Sequence, residues 1–92
     1  MARTILVVED ETTLRETLAD ALEAEGFRVV QAPDGRDALT RFRADRPDLI
    51  LLDLMLPELS GIEVCRIVRA ESSVPIVMLT AKDSELDKVV GL

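Results

Sequence analysis

The chain has 92 residues, of which 48% are hydrophobic and 32% are charged, and its formal net charge is −7. A chain of this length forms one domain at most, and its acidic balance argues against direct binding to nucleic acid. The absence of histidine and the single Cys65 exclude imidazole catalysis, an internal disulfide and a multi-cysteine metal site.

The first predicted strand lies near the N-terminus, where residues 5–8 are all apolar and Glu9 and Asp10 follow directly. This segment is too short and too acidic for a signal peptide, and no apolar run in the chain reaches the length of a membrane span. We therefore expect a cytoplasmic protein without a membrane interaction.

Three further apolar runs follow, separated by amphipathic stretches of helical period. Most of the runs are continuous over four residues, which is typical of strands covered on both faces. The four runs are residues 5–8, 29–30, 49–52 and 76–79.

Capping signals predict where the intervening helices begin. In each, a Ser, Thr or Asp precedes an acid by three positions, and Gly26 predicts the end of the first helix. The pairs are Thr13 with Glu16, Asp34 with Asp37, Ser60 with Glu63, and Ser84 with Asp87. The order β-α-β-α-β-α-β-α predicts a three-layer α/β/α fold with a parallel sheet. We expect residues 1–92 to form one incomplete domain that stops within its fourth helix.

Polar side chains follow three of the predicted strands. Glu9 and Asp10 follow the first strand, Asp53 ends the third, and Thr80 follows the fourth. Ligands of open parallel sheets bind beyond the carboxyl ends of the strands, where these residues are expected to meet. Taken singly, each residue is compatible with a solvated charge or a backbone-bonded hydroxyl, so the prediction depends on their combination.

Three neighbouring carboxylates repel one another, and a divalent cation removes that repulsion. An oxygen-rich site without His or Cys suits Mg²⁺, which in turn attracts phosphate groups. An Asp carboxylate can act as a nucleophile and form an aspartyl phosphate. We therefore predict that Asp53 is phosphorylated in a metal-bound cleft, with the turn from Pro57 to Gly61 keeping the loop around it open.

Three motifs resemble the receiver domains of two-component response regulators. They are ILVVEDE at residues 5–11, DLILLDLMLPELSG at residues 48–61 and PIVMLTAKD at residues 75–83. The resemblance implies a flavodoxin-like fold with strand order 2-1-3-4-5, of which this chain would carry the first four strands. The fifth strand and last helix of the family would lie outside it. The ending DSELDKVVGL is similar to regulators with a winged-helix DNA-binding output domain.

The resemblance also implies a role for each site residue. Asp53 would be the phosphoacceptor, and Thr80 would contact the phosphoryl group and act as the switch. Asp10 and Asp53 would bind Mg²⁺ directly, Glu9 through water, and Met55 through its backbone carbonyl. A sensor histidine kinase would supply the phosphoryl group, and DNA would be bound only by an output domain absent from this chain. Such a protein is not an enzyme in the ordinary sense, because the reaction modifies the protein itself.

One other function remains open at this point, and two more are disfavoured. The chain could be a non-switching interaction fragment that dimerises, with or without a domain swap, through the region of the fourth helix, because a fourth strand at the sheet edge offers unpaired backbone groups. A phosphatase of the haloacid dehalogenase type is disfavoured because Met55 stands where that family carries a second acid. Dinucleotide binding is disfavoured because no G-x-G-x-x-G follows the first strand.

Overall fold

The computed structural model describes residues 2–79, which form four strands and three helices. The predicted fourth helix with its cap at Ser84, and the predicted site residue Thr80, lie outside these residues. None of the helices within residues 2–79 combines the length and apolar character needed to cross a bilayer. The strands are Thr4–Val8 (β1), Arg28–Ala32 (β2), Leu49–Asp53 (β3) and Ile76–Leu79 (β4), and the helices are Thr12–Ala24 (α1), Gly35–Asp45 (α2) and Gly61–Glu71 (α3).

The four strands form one parallel sheet in the order β2-β1-β3-β4, which confirms the predicted topology. The chain moves from β1 to one side of the sheet to form β2, and then crosses back over β1 to form β3 and β4. Right-handed crossovers therefore place α1 on one face of the sheet and α2 and α3 on the other. The fold is the flavodoxin-like α/β type, and its change of direction lies between β1 and β3.

The larger hydrophobic core lies between the sheet and the α2–α3 layer. Alternate strand residues such as Leu6 and Leu52 face this layer and pack against Phe42 of α2 and Val68 of α3. The intervening residues of β1, Ile5 and Val7, face α1 and are equally buried, and those of β3 are half-buried. Burial on both faces explains why the strand sequences are continuously apolar rather than alternating.

The predicted cap of α1 is wrong, whereas those of α2 and α3 are confirmed. Asp34 and Ser60 accept hydrogen bonds from the amides of Asp37 and Glu63, as the spacing predicts. In α1 the N-cap is Glu11 rather than Thr13, because the chain turns directly after the acid pair. The Glu11 side chain accepts from the Leu14 amide at 3.3 Å.

The end of α1 follows the prediction at Gly26. This residue has a φ of +97°, a conformation that glycine adopts without a Cβ penalty. Its amide donates to the Glu23 carbonyl at 2.9 Å, which satisfies a carbonyl left open in the last turn of the helix.

A two-point ion pair joins α2 to α3. Arg43 donates from Nε to Glu71 Oε1 at 3.2 Å and from Nη2 to Oε2 at 2.6 Å. These hydrogen bonds hold the pKa of the Glu71 carboxyl below its ordinary value. The pair borders a surface cavity of about 240 Å³ that Phe42 and Pro47 also line.

Truncating the core should destabilise the chain much more than truncating the surface. Leu52 is fully buried, so Leu52→Ala is expected to lower the free energy of unfolding by about 2–5 kcal/mol. Ile62, on the exposed side of α3, is the matched control. Ile62→Ala should change the free energy of unfolding by less than about 0.5 kcal/mol. Urea denaturation measures both, and equal losses would contradict the assigned core.

The ion pair between the helices should stabilise the chain in a pH-dependent way. A carboxyl whose pKa is depressed by folding stabilises the folded state above its unfolded pKa, and that contribution is lost as the pH falls through the folded pKa. Arg43→Met should therefore cost more stability at about pH 7 than at about pH 3, which is below the ordinary pKa of glutamate. Urea denaturation at both pH values measures this. In a Glu71→Gln background, the effect of Arg43→Met should no longer depend on pH in this range.

Candidate functional site

The pairing of β1 with β3 positions two acids side by side. Val8 is the last residue of β1 and lies opposite Leu52 in the parallel register. The residues that follow them, Glu9 and Asp53, therefore leave the sheet next to each other at its carboxyl edge. Both acids are almost completely buried, with 1% of their surface exposed.

Asp10 completes a cluster of three carboxylates. One carboxylate oxygen from each of Glu9, Asp10 and Asp53 can be chosen so that all three lie within 4.8 Å of one another. Asp10 is exposed, so the cluster is open to solvent on that side. The predicted convergence of these acids at the carboxyl edge is thus what the structure shows.

The loop after β3 begins with a tight turn around Asp53. The Met55 amide donates to Asp53 Oδ1 at 3.1 Å, which restrains the carboxylate relative to the loop. The Leu54 amide extends the ladder toward β4 by bonding the Leu79 carbonyl at 3.4 Å. The role expected for the Met55 carbonyl stays a prediction, and Thr80 lies outside the described residues.

Gly61, the first residue of α3, lies against the backbone of Asp53. A Cβ at this position would collide with the Asp53 carbonyl oxygen and would come within 2.8 Å of the Leu54 Cα. The Gly61 amide also donates to the Leu54 carbonyl at 3.2 Å. Only glycine allows α3 to begin this close to the strand end that carries Asp53.

The other end of the loop is held by α2. A Cβ on Gly35 would come within 2.8 Å of the Leu59 carbonyl oxygen and 2.9 Å of Val64 Cγ2. Arg36 and Glu58 form an exposed ion pair at 3.6 Å across the same junction, and Glu58 itself has a φ of +61°. The first residues of α2 and α3 therefore confine the loop that follows Asp53.

Sequence reasoning missed Arg15 as a residue of this site. Its guanidinium donates from Nη1 to the Glu9 carbonyl at 2.9 Å and from Nε to Gln31 Oε1 at 3.3 Å. A signal was available in the sequence, because a cation in the first turns of a helix opposes the helix dipole and needs a compensating contact. Sequence reasoning also missed Glu11, whose amide donates to Glu9 Oε2 at 2.9 Å.

The cluster has the chemistry of a site for a hard divalent cation. It offers carboxylate oxygens without nitrogen or sulfur donors, and this oxygen-only set favours Mg²⁺ or a similar ion over softer metals. Two of the acids are held by the sheet edge, and the third faces solvent, from which water could complete the coordination. The residues therefore fit the ion that the sequence predicts.

A family model described as "Response regulator receiver domain" matches residues 5–92. The chain belongs to the response regulator receiver domain family. The receiver domain is 55% identical over 92 residues to the "DNA-binding response regulator MtrA" of Mycobacterium tuberculosis, covering all of this chain and 40% of the relative's length. The chain thus spans about two fifths of the curated relatives it matches.

Solved structures give the same assignment for the receiver domain. The chemotaxis protein CheY4 of Vibrio cholerae superposes with a TM-score of 0.85 at 33% identity, covering 96% of this chain and 76% of that one. The response regulator TrrA of Thermotoga maritima, solved in complex with Mg(2+)-BeF, gives a TM-score of 0.82 at 35% identity, covering 95% and 76%. These similarities support both the flavodoxin-like fold and the family.

Adding a methyl group at Gly61 should disturb the site as well as the fold. Gly61→Ala forces the start of α3 away from Asp53 and should cost about 1–3 kcal/mol of stability through overpacking. It should also weaken Mg²⁺ binding, which calorimetric titration measures, because the carboxylate of Asp53 shifts with its backbone.

Gly26→Ala is the matched control for this substitution. The space around Gly26 is open but its φ is positive, so alanine there should cost about 1–2 kcal/mol without touching the acidic cluster. Mg²⁺ affinity should stay at the wild-type value in this variant. Equal losses of affinity in the two variants would show that destabilisation alone accounts for the effect.

Proposed function

We propose that this receiver domain is a phosphoacceptor signalling module in which Asp53 receives a phosphoryl group in a Mg²⁺-dependent reaction. The observation that carries the proposal is the buried Asp53 carboxylate at the carboxyl end of β3, with acid oxygens of Glu9 and Asp10 within 4.8 Å. The family to which the chain belongs supports the same function.

Each acid of the cluster is proposed to have a different role, according to its position. Asp53 ends an inner strand of the sheet and is held by the Met55 amide, so its carboxylate is the best placed nucleophile. Asp10 is exposed and suits direct coordination of an arriving ion. Glu9 is buried and already accepts the Glu11 amide, which suits contact with the ion through water. The Met55 carbonyl is proposed as a further ligand.

In the proposed reaction a carboxylate oxygen of Asp53 attacks the phosphorus of the donor. The new bond joins that oxygen to phosphorus, and the bond from phosphorus to the donor atom breaks. The electron pair of the broken bond leaves with the donor, which takes up a proton. Bound Mg²⁺ would supply positive charge opposite the phosphoryl oxygens. The product is an aspartyl phosphate, so the protein is modified rather than acting as a conventional enzyme.

The proposed partners follow from the family and from the relatives. A sensor histidine kinase would be the phosphoryl donor, and Thr80 would contact the phosphoryl group once it is attached. Relatives such as MtrA are named DNA-binding response regulators, which favours control of a DNA-binding output domain of the winged-helix type. The acidic receiver domain itself would not contact the DNA.

Self-association is the second candidate, and one observation favours it. In the sheet formed by residues 2–79, β4 lies at an edge, and Val77 on this strand is 48% exposed. An edge strand with an exposed apolar side chain can pair with another chain. Dimerisation through the region of the fourth helix, with or without exchange of a segment, would use this side of the molecule.

Incubation with acetyl phosphate and Mg²⁺, followed by intact-mass analysis, tests the proposed function. The wild-type chain should gain one phosphoryl group, and the gain should require the ion. Asp53→Asn should gain none, because the amide is not a nucleophile. Asp10→Asn should react more slowly and should need more Mg²⁺, because it removes one negatively charged ligand.

Asp48→Asn is the matched control, since Asp48 precedes β3 and bonds the Thr4 amide at the opposite edge of the sheet. This variant should be phosphorylated like the wild type. A folded wild-type chain that gains no phosphoryl group would contradict the proposed function and favour the interaction module. Light scattering on the same samples would then test self-association.

A further inference from the structure

Arg15 is bonded to the peptide group that links two acids of the cluster. Its Nη1 donates to the Glu9 carbonyl at 2.9 Å, and that carbonyl belongs to the peptide bond between Glu9 and Asp10. A peptide group is planar, so holding its oxygen fixes the direction in which the chain leaves Glu9 and enters Asp10. The bond uses a main-chain oxygen and therefore takes no carboxylate oxygen away from a cation.

A second bond fixes the guanidinium itself. Its Nε donates to Gln31 Oε1 at 3.3 Å, and Gln31 lies in β2, where it is paired with Val7 of β1. The guanidinium is planar and rigid, so two contacts at different nitrogens define its orientation. Arg15 thus extends from α1 to the carboxyl ends of β1 and β2 and holds them together.

The remaining backbone around Glu9 is held from other directions. The Glu9 amide donates to the Ala32 carbonyl at 3.1 Å, and the Glu11 amide donates to Glu9 Oε2 at 2.9 Å. The carbonyl of Glu9, in turn, accepts a hydrogen bond from Arg15. Asp10 is exposed, so its placement depends on the peptide groups beside it more than on packing.

We propose that Arg15 is a positioning residue for the cation site, which orients the Glu9–Asp10 peptide so that both carboxylates face the ion. This inference rests on the proposed function, because it concerns the same Mg²⁺ site. Arg15 does not contact the reacting atoms. It acts through the main chain, and Gln31 acts through Arg15.

Lysine at position 15 separates positioning from charge. Arg15→Lys keeps the positive charge but lacks the planar group that reaches both the Glu9 carbonyl and Gln31. If the side chain mattered only as a charge, Mg²⁺ affinity would be unchanged. If it positions the acids, affinity should fall by about tenfold, the lower end of the range for residues that orient metal ligands.

The experiment measures Mg²⁺ affinity by calorimetric titration of the metal-free chain with MgCl₂ alone. Arg15→Lys should lose about tenfold in affinity. Gln31→Met should lose less than that, because the bond from Arg15 to the Glu9 carbonyl can still form. The double variant should bind no more weakly than Arg15→Lys, because Gln31 acts through the same guanidinium. Arg41→Lys, the same substitution at a surface ion pair with Asp37 in α2, should leave affinity unchanged.

Amide hydrogen exchange without metal gives a readout that does not depend on the ion. The amides of Asp10 and Glu11 should exchange faster in Arg15→Lys and in Gln31→Met, while those in α3 keep their wild-type rates. If both variants kept the wild-type Mg²⁺ affinity and the wild-type exchange rates of these amides, the positioning role of Arg15 would be overturned, and the proposed metal site would not. The proposed metal site and this inference would both be overturned if the wild-type chain bound no Mg²⁺. They would also be overturned if the Asp10→Asn variant bound Mg²⁺ as tightly as the wild type.

Discussion

The register of β1 against β3 is the constraint on which the site depends. Because Val8 lies opposite Leu52, the next residue of each strand is an acid at the same edge of the sheet. A slip of one residue in either strand would separate Glu9 from Asp53 and turn the apolar side chains of that strand to the wrong face. The large α2–α3 core, which includes Leu6 and Leu52, therefore fixes the same register that brings the carboxylates together.

Much of the fold could be predicted from local sequence signals. Apolar runs gave the strands, and the cap pairs at Asp34 and Ser60 gave the starts of two helices, because these signals act over a few residues. The predicted cap of α1 was wrong. The backbone turns into the helix directly after Glu9 and Asp10, earlier than capping preferences indicate. The Glu11 side chain caps the helix, while its amide is bonded to Glu9.

The site could be predicted in part. The acids themselves were found because each follows a strand, and parallel topology brings strand ends together. Arg15 was missed although its position in the first turns of α1 was a signal, and its partner Gln31 could not be found, since their contact joins a helix to a strand and leaves no short spacing in the sequence. The tight approach of Gly61 to Asp53 was also invisible, because a glycine beside a proline-containing turn has an ordinary local explanation.

The two glycines that confine the loop limit the directions in which the backbone of the site can move. Gly35 meets Leu59, and Gly61 meets the backbone of Asp53, both at distances that leave no room for a methyl group. The backbone of Asp53 therefore has no room to move toward α3, and that of Leu59 has none to move toward α2. On the sheet side the same strand end is held by its pairing with β4, where Asp53 lies opposite Leu79, so the acid sits on a backbone that is anchored in three directions while its cluster opens to solvent at Asp10.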